Sequence, residues 1–399
     1  MPHHPPHRAH QALVRPFAAL RRLSLGGEVV TGHHNNNRIG TLGQPLAFLL
    51  GAESGHVLAK FRMPFDAIEV VPRIWPRESE VVRAVREKLS EVPDCLADFG
   101  TWSVHSYVPG RALSDVVPEG RIGGSRLAAL ARAFAALPDV PLSSLPKLPP
   151  HWPEDGDSLG FLGWLARFTE ERVHQVNRAR FGELFHAVGI PHNAMERFLS
   201  FVPGLTGRPF SLLHTDVHRA NVVASWGPDG ERLFLIDWEL AMYGDPLHDL
   251  ATHLVRMGYD KTEHELMVDM WVAEMRRAGH AAATADMGRD LPHYLGFEYA
   301  QSVYPDVIRA AVGLPARPTG RDFNQAADRV CRAMSRAREP LNLVDRPPLD
   351  RPTAEEALRQ WHRKDRAAAA EAAESATEGP GESDSPETAG RAECLERHG

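Results

Sequence analysis

Three side chains set the chemistry open to this chain: Asp216, Asn221 and Asp237. They lie in Leu212–Ala251, which reads LLHTDVHRANVVASWGPDGERLFLIDWELAMYGDPLHDLA. An apolar strand leads into a polar loop, followed by a second apolar strand, a turn and a third apolar strand ending in a carboxylate. Gly227-Pro228-Asp229-Gly230 is turn chemistry, so Val222–Ala224 and Leu233–Ile236 are expected to pair as a hairpin. That hairpin brings Asn221, before the outgoing strand, next to Asp237, after the returning one. One carboxylate can then accept the proton of a hydroxyl. An amide oxygen and a second carboxylate can offer hard oxygen ligands to magnesium. Phosphoryl transfer from a nucleotide needs this division of labour. The spacing H-x-D-x4-N is weak by itself; joined to Ile236-Asp237-Trp238-Glu239 and Gly244-Asp245-Pro246-x-x-Asp249, it becomes specific.

A second pair of charges stands upstream. Lys60 is a single charge within the apolar strand-like run Val57–Phe61. From spacing alone it is equally a snorkelling lysine on an edge strand. In the helix expected from Arg77 to Leu89, the apolar face is Val81, Val82, Val85 and Leu89. At about 100° per residue Glu78 falls on that face and Glu80 opposite it. A carboxylate on a buried face needs a cation, and Lys60 is the natural partner.

Composition sets the frame. The 399 residues exceed one average domain, and the apolar fraction of 43% suffices for a sizeable core. No run has the length of a membrane span, and the first residues lack the apolar core of a signal peptide, so a cytoplasmic protein without a membrane partner is expected. Three scattered cysteines make neither a disulfide framework nor a zinc cluster. The net charge is −7, but Arg366–Gly399 holds eight acids against three arginines, so much of it belongs to the tail. Nothing in this balance suggests a nucleic-acid partner.

In chain order, residues 1–24 read as a disordered, His- and Pro-rich arm with a leading helix. Strand-like runs follow at Glu28–Thr31, Arg38–Leu42, Leu46–Leu50, His56–Arg62 and Phe99–Val108. Tyr107-Val108-Pro109-Gly110 marks a chain reversal. From Ser125 the pattern turns helical: Leu127–Leu137, Leu159–Leu184, Asn193–Phe201, Leu247–Met257, His264–Ala278, Tyr294–Leu314, Phe323–Arg338 and Pro352–Ala373. Residues 379–399 are poor in apolar side chains and are expected to be disordered. The resulting divisions are 1–24, 25–106, 107–345, 346–378 and 379–399.

Leu212–Ala251 resembles the catalytic segment of the aminoglycoside phosphotransferase and choline kinase family, distant relatives of protein kinases. The resemblance runs from about Leu25 to Arg338. It implies an α+β, two-lobed protein-kinase-like fold: a small N-terminal lobe of antiparallel sheet plus helix, and a larger, mainly helical C-terminal lobe. It implies ATP or another nucleoside triphosphate as co-substrate, with Mg²⁺. Asp216 would be the catalytic base, with His214 supporting the loop by hydrogen bonding, and Asn221 and Asp237 would hold the metal. Lys60 and Glu78 would hold the α- and β-phosphates. The loop at Gly32, with Asn35, would cover the phosphates. The backbone of Ser106 and Val108 would meet the base at a hinge between lobes. Thr215 stands where many relatives have Gly. His218 and Arg219 are either contacts to phosphate or acceptor, or solvated loop residues. Asp245 and Asp249 would be structural.

Three readings of function follow. The first is a kinase of small-molecule hydroxyls, of the aminoglycoside, amino alcohol or sugar class. A cationic acceptor would need acids near Asp216, for which Glu263, Glu265, Asp269 and Glu274 are candidates. The second is the same chemistry on Ser or Thr of a peptide, before dehydration in natural-product synthesis. The third is a pseudokinase that binds nucleotide without catalysis; the intact set Lys60, Glu78, Asp216, Asn221 and Asp237 argues against it.

Overall fold

The chain reversal at Tyr107–Gly110 divides a strand-rich stretch from a mainly helical one. The computed structural model describes residues 14–16, 18–19, 29–31, 35–42, 44–50, 58–64, 70–100 and 102–377; for 29–31, 35–38, 44–45, 58–64 and 372–377 the description is of backbone only. The polar arm 1–13, the flap residues Gly32 to His34 and the tail 379–399 lie outside it.

The first lobe holds strands β1 (Val29–Thr31) and β2 (Asn35–Thr41), helix α1 (Gln44–Leu49), β3 (Leu58–Pro64), helix α2 (Glu78–Arg86), β4 (Cys95–Asp98) and β5 (Ser103–Ser106). The strands form one antiparallel sheet in the order β1-β2-β3-β5-β4. Lys60 stands opposite Ile39 on one side and His105 on the other. Its strand is therefore interior, not the edge that a snorkelling lysine would use.

Two strand readings need correction. Leu46–Leu50 is not a strand but the end of α1: Leu46 and Ala47 are adjacent and both buried, whereas Phe48 is exposed. Five consecutive apolar residues carry no period, and Pro45 in the first turn presets a helical φ. Phe99–Val108 is not one strand either. Gly100 takes φ +83 with its N–H on the Asp98 carboxylate, and the Phe99 N–H bonds the Trp102 carbonyl, closing a tight turn between β4 and β5.

Helix α2 buries Ser79, Val81, Val82, Ala84 and Val85. The valines join the large core of the second lobe, while Val14, Ala18, Leu42, Leu46, Ala97 and Val104 form a small separate core. The chain crosses between lobes over Tyr107–Gly110 and pairs Arg111 and Ala112 (β6) with β8 (Val222–Gly227). A Cβ on Gly110 would sit 2.2 Å from the Ala224 carbonyl oxygen. Gly110→Ala is therefore expected to push the crossing off β8 and cost about 1–3 kcal/mol, read as a lower melting temperature. An unchanged melting temperature would mean that the crossing is slack.

The second lobe continues with α3 (Leu113–Val116), α4 (Gly124–Ala136), α5 (Ser158–Phe168), α6 (Gln175–Ala187) and α7 (Ala194–Ser200). A π-turn, Thr169–His174, joins α5 to α6, so the expected single helix is one run with a wide turn inside. Next come β7 (Ser211–Leu213), β8, β9 (Gly230–Leu235) and β10 (Met242–Gly244), then α8 (Pro246–Met257), α9 (Lys261–Arg277), α10 (Met287–Val312), α11 (Gly320–Ala337) and α12 (Arg351–Thr377). Strands β6, β8 and β9 form one sheet, and β7 pairs with β10. Among the described residues no helix is long and apolar enough to cross a membrane.

A buried ion cluster ties this lobe together. Arg208 bonds both carboxylate oxygens of Asp245, the cap of α8, and one oxygen of Asp290 in the first turn of α10 at 2.7 Å. The Tyr294 hydroxyl completes the Asp245 shell at 2.9 Å. Arg208, Asp245 and Asp290 are fully buried.

Candidate active site

The polar loop opens where β7 ends and closes where β8 begins. Strands β8 and β9 pair Val222 with Leu235, and the Ile236 N–H donates to the Asn221 carbonyl at 3.0 Å. The hairpin thus ends with Asn221 beside Ile236-Asp237. Asp237 takes the left-handed conformation, φ +70 and ψ +64, and a 3-10 turn, Trp238–Leu240, follows. Thr215 is also left-handed, φ +59. That conformation strains a β-branched residue and suits Gly. Here the Thr215 hydroxyl bonds the Leu240 carbonyl at 2.7 Å, which helps hold the residue in place.

One stripe of helix α8 holds the loop. Asp249, His253 and Arg256 recur at i, i+4 and i+7, so they share a face. Asp249 accepts the N–H groups of His214 and Thr215, each at 2.8 Å. Burial pushes its carboxyl up to about 6 against the lowering effect of these bonds. His253 Nδ1–H donates to the Val217 carbonyl at 2.9 Å, and its Nε2 accepts from the Tyr259 hydroxyl at 3.0 Å. Arg256 donates to Asp216 Oδ1. From within the loop, Arg219 donates to the carbonyls of Val117, Gly120 and Met257. Arg219, half-buried, is thus a clamp on three carbonyls.

Asp216 is mostly buried, yet burial, which by itself would raise its pKa, is outweighed by the charges of Arg256 and His218, which hold it down to about 2. It is ionised throughout the neutral range. Asn221 Nδ2 donates to the Asp216 carbonyl at 3.0 Å and to Oδ2 at 2.9 Å, which turns the amide oxygen away from Asp216. His218 Nε2 lies 3.6 Å from Oδ1. His214 is fully buried, which drives its pKa down to about 4. Its Nδ1 accepts the Asp216 N–H at 3.3 Å, so the proton sits on Nε2, which donates to the Ile236 carbonyl at 3.2 Å. A neutral ring with both nitrogens engaged supports the loop and has no proton to exchange. The Trp238 ring packs on it at 4.3 Å.

Glu78 Oε1 accepts the Trp238 N–H at 2.8 Å, joining α2 to the residue after Asp237. Glu80 pairs instead with Arg77 at the surface. The side chains of Lys60 and Asn35 lie outside the described residues, as does Gly32, so the Lys60–Glu78 pair and the phosphate flap are not described. The Ser106 N–H bonds the Asp94 carbonyl at 2.9 Å and its hydroxyl accepts the Asp94 N–H at 2.8 Å, while Val108 is half-buried on the crossing.

Of the four acids considered for a cationic acceptor, Asp269 is exposed and the other three have partners of their own. Glu263 is buried and accepts the Gly123 N–H at 2.8 Å, Glu265 faces Lys261 and Glu274 pairs with Arg277. Tyr294, Phe297 and Tyr304 are core residues. The residue that sequence reasoning missed is Arg256, whose signal was its place in the polar stripe with Asp249 and His253.

A phosphotransferase enzyme family model matches residues 45–289. The chain belongs to this family. It is accordingly a phosphotransferase, and its two lobes make the α+β fold described above. No curated protein matches it. Solved structures similar to this phosphotransferase include a choline/ethanolamine kinase family protein from Mesorhizobium loti, at 18% identity over 88% of this chain and 98% of that one, with a TM-score of 0.47. Choline kinase LicA from Streptococcus pneumoniae is 16% identical over 84% of this chain and 100% of its own, with a TM-score of 0.48. Macrolide 2'-phosphotransferase MphH from Brachybacterium faecium is 16% identical over 80% and 98%, with a TM-score of 0.42.

Proposed function

We propose that the chain moves the γ-phosphoryl group of ATP to a hydroxyl of a small molecule, with magnesium. The observation that carries the reading is the hairpin end. Asp216 is bonded by Asn221, Asn221 borders Ile236-Asp237, and Glu78 holds the next backbone amide. Asp216, ionised and fixed at both oxygens, orients the acceptor hydroxyl and takes its proton late, when the bond to phosphorus has largely formed. A carboxylate with so low a pKa is a weak base, so its orienting role dominates.

The donor set fits magnesium. Asn221 spends its amide nitrogen on Asp216 and keeps its oxygen for a ligand, and Asp237 adds a carboxylate. Among the described residues no group of three or more His, Cys, Asp or Glu could cage a metal alone. Magnesium bound by one or two protein oxygens, with substrate phosphates and water, needs no such cage. When bound, it would neutralise phosphate charge. Lys60 and Glu78 are assigned to the α- and β-phosphates, Gly32 and Asn35 to the flap, and the Ser106 and Val108 backbone to the base.

Asp237→Ala is expected to weaken ATP binding in the presence of magnesium by about tenfold or more, because a charged ligand is lost from a site with few. Calorimetry with and without magnesium measures it. Binding unaltered by the substitution would remove Asp237 from the metal site. Turnover of radiolabelled ATP with an alcohol panel and Ser-containing peptides tests the acceptor class, and label in peptide alone would overturn the small-molecule reading.

A further inference from the structure

The acceptor side of Asp216 carries guanidinium groups. Arg256 bonds Asp216 Oδ1, the oxygen that Asn221 leaves open, so an incoming hydroxyl meets Arg256 at the base. Helix α8 packs along α10, where Glu298, Ser302, Asp306 and Arg309 recur at i, i+4, i+8 and i+11 and so share a face. The charge of Arg256 acts on Glu298 and Asp306, and the charges of both Arg256 and Asp216 act on Arg309. His248, two turns before Arg256 on α8, packs on Tyr294 and Phe297 and lies 3.7 Å from Glu298, two turns before Asp306 on α10, so the paired helices carry these groups to one end of the site. Asp306 is shared between Arg336 at 3.0 Å and Arg309 at 3.8 Å, and Arg309 is more than half exposed. Glu298 is buried, 3.7 Å from His248, and is turned into the helix packing. On this face of α10 two guanidinium groups, Arg309 and Arg336, thus share the one carboxylate of Asp306, while Arg256 is paired with Asp216.

This arrangement is wrong for a cation. An ammonium brought to Asp216 would meet Arg256, and like charges repel. Tyr299, the partly exposed tyrosine of this stretch, already has the Arg336 guanidinium 6.0 Å from its ring, and a quaternary ammonium brought there would meet a like charge. We infer that the acceptor alcohol carries an anion, a carboxylate or a phosphate ester, near the hydroxyl it presents to Asp216, and that Arg309 together with Arg256 receives it. This rests on the phosphotransferase reading above and names its substrate class. The reaction balances as before. The acceptor oxygen bonds the γ-phosphorus, the bond from that phosphorus to the β,γ-bridging oxygen breaks with its electron pair leaving on ADP, and the hydroxyl proton passes to Asp216.

The test uses the full chain with magnesium, ATP and a matched set of alcohols: glycerate, glycerol 3-phosphate and glycerol, with choline and kanamycin as cationic members. Initial rates of ADP release give kcat/KM for each. At least one anionic member is expected to exceed glycerol and both cations by about tenfold or more, the worth of one charge-assisted contact. The ratio of glycerate to glycerol 3-phosphate separates carboxylate from phosphate. Arg309→Gln, at an exposed position that should leave folding intact, is expected to shrink that preference to within about threefold, chiefly through KM. A merely structural arginine would lower all rates together and leave the ratio alone. Arg256→Lys keeps the charge but not the planar fork, and is expected to shrink the same ratio in part. Cationic members turned over best, no anionic advantage, no turnover of either anion, or an unchanged ratio in Arg309→Gln would each overturn the inference. If ATP and magnesium still bind by calorimetry in those cases, the phosphotransferase reading survives; if the wild-type chain binds no nucleotide, both fall.

Discussion

Asp216→Asn is expected to lower turnover by about 10²–10⁴-fold while changing ATP affinity little. The substituted amide keeps the shape of the carboxylate but cannot accept a proton. The Asn221 bond to the residue 216 carbonyl does not involve the side chain and should persist. Arg256 loses its nearest counter-charge, so some stability should go with it, and a melting curve must accompany the kinetics. The loss should appear equally in kcat and kcat/KM, because the carboxylate serves the acceptor's proton and not the nucleotide. Wild-type turnover in a folded Asp216→Asn protein would remove the base from this scheme.

Arg208→Met is expected to cost about 3–5 kcal/mol, a large part of the stability of an ordinary domain. The reason is the burial of both partners. Asp245 and Asp290 are fully enclosed; Asp245 would lose the guanidinium that compensates its charge, and Asp290 would keep only that of the exposed Arg289. The side chain also bonds the Ala285 carbonyl at 3.0 Å, so three groups are left short of a donor or a counter-charge. The damage would reach the site, because Asp245 caps α8 and Asp290 anchors the start of α10. The midpoint of urea unfolding measures it. Combining Arg208→Met with Asp245→Asn should cost less than the two changes added, since together they remove a charge of each sign. A loss below about 1 kcal/mol for Arg208→Met would mean that water reaches the cluster.

The fold was legible where chemistry and pattern coincide. The GPDG turn and its flanking strands gave the hairpin, and with it the approach of Asn221 to Asp237. The 100° rule separated Glu78 from Glu80, and Glu78 does turn towards the Asp237 turn while Glu80 stays at the surface. Leu46–Leu50 could not be read, because an unbroken apolar run has no period and only packing decides it. Arg256 escaped for another reason. Its partner is 40 residues away, and a basic residue in the last turn of a helix is ordinary complement to the helix dipole. Only the shared face with Asp249 and His253 distinguishes it. The acids on α9 drew attention by type alone, and in the fold they are bonded to other groups or exposed.

The ties between α8 and the loop have a consequence for how the protein comes apart. Residues 214–219 are held by Asp249, His253 and Arg256 and return three bonds through Arg219, all within the second lobe. Freeing the loop means breaking those bonds together, so loop and helix form one cooperative unit and open only when the lobe does. The reacting carboxylate has no cheap local excursion of its own. Whatever breathing admits and releases substrates must be borne elsewhere, at the crossing over Tyr107–Gly110 and in the lobe that precedes it.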